Sequence, residues 1–435
     1  MTTEVKMLGQ EKKERYQGDG IIETQGAGKG FSRVSQYWVK KCMSFDEGKV
    51  KLVAEQSKIE DFASPLSEWL PVVDNSDRFA MRHLPTGKDY VPTDHALKLM
   101  AQVGKGMSEW GLRALREPIR HATKVDEETG EKVPLHQRER ADAELLRDYV
   151  KQHLFHPERV DQGKPRLFRT WNDGTLRALL SEHYSIVNNL WYLNLLQQII
   201  PGGLLSHWHG DADTIYGNIL LPDSIRADSD SDYGGMLSIG NSEIGTRRIS
   251  SMPSVFRAIC MNGCIWDQEK GVEFDQIHRG AVDFATLAAK IRENLEAQIP
   301  LLPEGISRML GIKAYGVGDT PIPNMLAQLA IDHSLNKRDI KGVWDEWAKE
   351  VNALGKQEGN TAFGIVAGLT RYGQRFVDSS KPGMFTPSAW VGFDKIAGSF
   401  INLSRDEWDK FRNRAANLNQ KQVEKRLGEL AMVAA

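Results

Sequence analysis

The chain has 435 residues, is 40% hydrophobic and 26% charged, and sets 56 Lys and Arg against 58 Asp and Glu, for a net charge of −2. That content supports a sizeable core and excludes whole-chain disorder, and the length suits two or three domains of about 150 residues. The charge balance excludes a global basic field, so any nucleic-acid binding needs a local patch. Three cysteines leave one over from any pairing, which argues against a disulfide framework and fits a reducing cytosol.

In chain order, residues 1–30 mix charges with Gly18, Gly20, Gly26, Gly28 and Gly30 and read as a mobile arm. Met1–Tyr16 has no apolar run and is not a signal peptide. Phe31–Lys40 has strand-like content. Asp94–Arg116 follows a Thr93/Asp94 cap and reads as a helix, as does His136–His156, with the charged turn Lys124–Lys132 between them. From Arg166 the texture changes: Arg166–Trp171 is a short strand, Thr175–Leu180 a short helix and Tyr184–Val187 an extended segment. Leu190–Ile200 is a helix stopped by Pro201-Gly202-Gly203. Its apolar run is too short and too often interrupted by polar residues to span a bilayer, so the chain reads as soluble and cytoplasmic. Leu204–His209, Thr214–Leu221, Gly235–Ile239 and Ile244–Ser251 look like antiparallel strands. Val282–Ile299 opens a mainly helical region that runs to Met432. The expected fold class is α+β, a central antiparallel sheet with flanking helices. It is divided into an arm (1–30), an α+β core domain (31–280) and a helical C-terminal region (281–435).

Several tempting motifs fail on inspection. Gly26-Ala-Gly28-Lys29-Gly30 lacks the spacing and the Ser/Thr of a phosphate-binding loop. Asp228-Ser-Asp230-Ser-Asp232 lacks the Gly and the terminal Glu of a calcium loop, and Gly240–Ile244 lacks the second glycine of a nucleophile elbow. Cys260 and Cys264 have no second cysteine pair. His207-Trp-His209-Gly-Asp211-Ala-Asp213 offers two His at alternate strand positions followed by carboxylates, a donor set that suits zinc or iron. It supports an alternative reading as a metal-dependent nuclease or hydrolase.

A basic, aromatic-rich central block remains. Lys164–Leu180 carries Lys164, Arg166, Arg169 and Arg177 against Asp173, and Ile244–Ala258 carries Arg247, Arg248 and Arg257 with no acid. Trp171 and Tyr184 lie among them. Arginine forks bind phosphates bidentately and aromatic faces stack bases, a combination that suits single-stranded nucleic acid.

Arg169-Thr-Trp171-Asn-Asp-Gly-Thr-Leu176-Arg177, continuing through Tyr184 to Asn188-Asn189, resembles a signature of the phage/plasmid-like proteins, the domain-of-unknown-function 932 family. So do Ile239-Gly-Asn241-Ser242-Glu243-Ile244-Gly245 and Phe256-Arg257-Ala-Ile-Cys260-Met-Asn262-Gly263, and more loosely Thr361–Tyr372 and Phe393–Gly398. The resemblance implies a setting in phages, prophages and plasmids, and hence DNA replication, recombination or repair. The expectation is a single-stranded-DNA binding or annealing protein of a bacterial host's cytoplasm. It would work as a homo-oligomer, without a cofactor, a metal or catalytic residues, and make its contacts through Arg169, Trp171, Arg177, Tyr184, Arg247, Arg248 and Arg257. The remaining alternative is a non-catalytic structural or interaction protein whose helical C-terminus carries the function. Asn241-Ser242-Glu243 is expected to be structural, its side chains bonding the backbone at a turn.

Overall fold

Two β-sheets joined by a polar seam, each covered by helices, form the α+β fold of the computed structural model. It describes residues 42–104, 136–158, 160–221, 232–257, 262–265, 282–354, 356–376 and 387–427, with short strands at Lys6–Met7, Ile21–Glu23, Val34–Ser35, Thr123–Val125, Lys132–Pro134 and Arg226–Ala227. Most of the expected arm, of Phe31–Lys40 and of the Asp228 and Cys260 motifs lies outside the described residues. The first helix, α1 (Phe45–Gln56), opens with a capping box in which Ser44 and Glu47 bond each other's backbone amides.

The first sheet combines an edge strand, β1 (Ile59–Pro65), a meander of β2 (Trp69–Val73), β3 (Phe79–His83) and β4 (Lys88–Pro92), and a distant hairpin, β5 (Pro165–Trp171) and β6 (Thr175–Ser181), inserted between them. Its order is β1-β5-β6-β4-β3-β2, and β6 runs parallel to β4 while the other neighbours are antiparallel. Helices α2 (Asp94–Val103) and α3 (His136–Leu154) cover it. Leu97, Met100, Leu146, Val150 and Leu154 meet Trp69, Met81 and Phe168 in one core, where Trp69 stacks on Phe168 at 3.9 Å. The expected helix at Thr175–Leu180 is corrected to strand β6. Asp173-Gly174 makes a hairpin turn, with Gly174 at φ 91° and the Thr175 amide donating to Asp173 Oδ1 at 2.9 Å. That turn, together with burial of Leu176–Leu180, overrides the local helical preference.

Asn188 caps α4 (Asn189–Ile199), accepting from the Trp191 amide at 3.0 Å. The second sheet follows: β7 (Leu204–Gly210), β8 (Thr214–Leu220), β9 (Asp232–Ser242), β10 (Ser250–Arg257) and β11 (Asn262–Ile265), antiparallel and in sequential order. The strand expected from Ile244 begins only at Ser250. Ser242 Oγ accepts from the Ile244 and Thr246 amides and ties residues 243–249 into a turn. Alternation gives the sheet two unlike faces. Ile215, Ile219, Leu237, Ile239 and Val255 share a core with α1, α4 and the C-terminal helices. Tyr216, Asn218, Ser238 and Ser254 occupy the other face, where Ser238 Oγ donates to Asn218 Oδ1 at 2.8 Å and lies 2.9 Å from Ser254 Oγ.

The C-terminal region is helical as expected: α5 (Phe284–Gln298), α6 (Leu302–Gly311), α7 (Ile322–Asp332), α8 (Lys337–Leu354), α9 (Lys356–Gly359), α10 (Ala362–Gln374), α11 (Pro387–Ile401), α12 (Arg405–Ala416) and α13 (Gln420–Leu427). Helices α8 and α10 approach closely because Gly342 leaves room for the Tyr372 ring. Among the described residues no helix is long and apolar enough to cross a membrane.

Candidate functional site

Two of the sequence segments singled out above, Arg169–Asn189 and Ile239–Gly245, meet in space. Arg169 projects from β5, Arg177 from β6, and Asn241, Ser242 and Glu243 from the end of β9. Arg169 Nη1 donates to the Glu243 backbone carbonyl at 2.6 Å, its Nε donates to Asp61 Oδ2 at 3.1 Å, and its Nη2 lies 3.1 Å from Glu243 Oε2. Arg177 Nε donates to Asp213 Oδ1 at 2.5 Å and Nη2 to the Ala212 carbonyl at 2.6 Å, with its guanidinium 4.6 Å from the Trp171 ring. Glu243 Oε1 accepts from the Asn189 amide at 2.7 Å, and Asn241 Nδ2 donates to Val187 O and Asn189 Oδ1. Tyr184 donates its hydroxyl to Ser242 O, and His95 Nε2 donates to Ile244 O. Arg169 is 2%, Arg177 0% and Glu243 1% exposed. Burial pushes the Glu243 and Asp213 carboxyls above the usual range, against the pull of the two arginines.

This arrangement locks the first sheet to the second. An arginine committed to internal carboxylates and carbonyls has few donors left for a phosphate. Asn241-Ser242-Glu243 takes the structural place expected of it.

The His207–Asp213 segment divides among different partners. A bulge between Ser206 and His209 interrupts the alternation that would have put both histidines on one face. His207, at φ 50°, has Nδ1 3.0 Å from Ser206 Oγ and its ring 5.7 Å from Trp390. His209 Nε2 is 2.9 Å from Asp211 Oδ2, and Asp213 is held by Arg177. Among the described residues no group of three or more His, Cys, Asp or Glu is placed to hold a metal ion.

The remaining arginines separate. Arg257 is buried at the far end of β10, 6.0 Å from the Tyr233 ring and 5.7 Å from Phe363. Arg247 and Arg248 stand on the 243–249 turn, Arg247 half-buried and Arg248 exposed. The Arg247 guanidinium lies 4.3 Å from the Tyr216 ring, which meets Trp390 of α11 edge-on at 4.7 Å. Asp394, one turn beyond Trp390, is buried with its Oδ1 unpaired, and burial raises its carboxyl well above the usual range.

Arg169, Trp171, Arg177 and Tyr184 are thus brought together, but as framework. Arg247 and Arg248 form a separate surface pair, and Arg257 joins neither. His95 and Asp61, which complete the seam, escaped sequence reasoning because their partners are distant in the chain, and for the same reason sequence reasoning makes Asp213 a metal-ligand candidate and not the partner of Arg177. Comparison of the chain with protein-family models, with curated proteins and with solved structures finds no match.

Proposed function

We propose that this chain is a phage- or plasmid-type DNA-metabolism protein that binds or anneals single-stranded DNA. It would act as a homo-oligomer in the cytoplasm of a bacterial host and need no cofactor. The observation that carries the reading is the 243–249 turn, which holds Arg247 over Tyr216 and sets Arg248 beside it at the surface. A guanidinium held over an aromatic ring is pre-oriented, so little side-chain freedom is lost when it meets a phosphate. The motif resemblance to the phage/plasmid-like family supports the same reading. Of the seven residues expected from the sequence, Arg247 and Arg248 are the ones retained as contacts, with Arg169, Arg177, Trp171, Tyr184 and Arg257 supporting the fold beneath.

The test is fluorescence anisotropy with a labelled single-stranded oligonucleotide, with and without EDTA. Arg247→Glu/Arg248→Glu is expected to weaken binding at moderate salt while thermal stability holds. The slope of log K against log salt should flatten by about 0.7 for each phosphate that the variant no longer neutralises. Unchanged affinity and slope in the folded variant would remove the turn from the binding surface, and loss of binding with EDTA would restore a metal-dependent reading.

A further inference from the structure

A second basic surface lies in the helical region and uses none of the arginines considered above. Glu346 of α8 is 3% exposed, yet its carboxylate is shared by Lys349 at 2.8 Å, Arg371 at 3.0 Å and Arg375. One buried negative charge thus positions three cationic side chains that are themselves 36–56% exposed. Arg338 and Lys341 are exposed on α8, and the spacing 338, 341, 345, 349 puts them on the same flank as Lys349. Asp345 and Glu346 are the acids of that flank. Asp339, half-buried, is a third acid nearby and accepts from the Tyr372 hydroxyl at 3.2 Å.

Packed rings connect the Arg247 turn to helix α10 through the interior. Arg247 lies on Tyr216, Tyr216 meets Trp390, and the Trp390 ring lies 3.2 Å from where a Cβ on Gly373 would stand, two residues before Arg375. Tyr216 and Trp390 are buried. Cations fixed by a buried carboxylate are already ordered, and such a cluster, extended along α8 by two exposed cations, favours a polyanion such as a phosphodiester backbone.

We infer that the α8–α10 flank, through Arg338, Lys341, Lys349, Arg371 and Arg375, is the principal contact for the phosphodiester backbone of single-stranded DNA. The Arg247–Arg248 turn forms the other end of the track. The inference rests on the DNA-binding reading above and names where the strand lies.

Arg338→Glu/Lys341→Glu tests it, because both residues are exposed and neither is among the described ion-pair partners of Glu346. Anisotropy titrations across about 50–200 mM salt are expected to show the slope flattened by about 1.4 and affinity at 100 mM lowered at least about tenfold, with an unchanged melting temperature. Polyglutamate of matched charge is expected not to compete with the oligonucleotide. Wild-type affinity and slope in the folded variant, with binding abolished by Arg247→Glu/Arg248→Glu, would overturn the flank and leave the DNA-binding reading standing. Full competition by polyglutamate would overturn phosphate recognition. Absence of any binding by the wild-type chain would overturn the reading itself, and the flank with it.

Discussion

Replacing Arg169 by Met leaves the buried Glu243 carboxylate without the guanidinium that faces it. Breaking one side of such a pair costs about 3–5 kcal/mol, far more than the pair contributes relative to an apolar replacement. Urea denaturation of Arg169→Met is expected to show a loss of that size, and the double variant Arg169→Met/Glu243→Gln should recover much of it. Asp394 behaves oppositely. Burial raises its carboxyl above the value near 3.8 that it has when unfolded, so folding favours the protonated form. Its contribution is fully present below that pH and is lost as pH rises toward the folded value, at up to about 1.4 kcal/mol per pH unit. Asp394 and Arg247 both act on the Tyr216 hydroxyl, with opposite sign. Asp394→Asn should therefore gain stability over wild type as pH is raised from 5 to 8, as urea midpoints at the two pH values would show.

At the scale of elements, two short devices hold the motif segment in place. Asn188 caps α4, and Asn188→Ala should lower stability by about 1 kcal/mol. Gly174 closes the β5–β6 hairpin at φ 91°, and an added Cβ there would stand 3.1 Å from the Asp89 carbonyl. Gly174→Ala should cost more than about 1 kcal/mol, since it combines an unfavourable backbone conformation with a close contact. Thermal melts of both variants would check the order: the hairpin glycine should matter more than the cap.

Over the whole molecule, two hydrophobic cores are separate. One lies under the first sheet, and the other joins the second sheet to the C-terminal helices. Between them stand the arginine seam and a small cluster of Ala178, Leu180 and Ile244. The seam therefore carries much of the coupling between the halves. Hydrogen exchange in wild type is expected to protect β2–β3 and α7 to a common limit, as one cooperative unit. In Arg169→Met/Arg177→Met, β2–β3 should exchange well before α7, and equal protection in that variant would show that the seam does not couple the cores.

The sequence by itself determined the features that depend on near neighbours. The helix after Asn188 and its stop at Pro201-Gly202-Gly203, the placing of strands β7 and β8, and the return to helix after Val282 are set by caps, breakers and side-chain period. The α+β class follows from them. Only the tertiary structure decided what the charged residues do. A local tally marks Arg169 as the centre of a basic stretch, whereas its carboxylate partner Asp61 is 108 residues away and reaches it across the β1–β5 pair. Conversely, the α8 flank looks charge-balanced along the chain because Asp339, Asp345 and Glu346 interleave with its cations. Folding sends Asp339 to Tyr372 and buries Glu346 beneath three cations. Charge is summed over space, and the neighbours that neutralise or concentrate it are chosen by packing rather than by position in the chain.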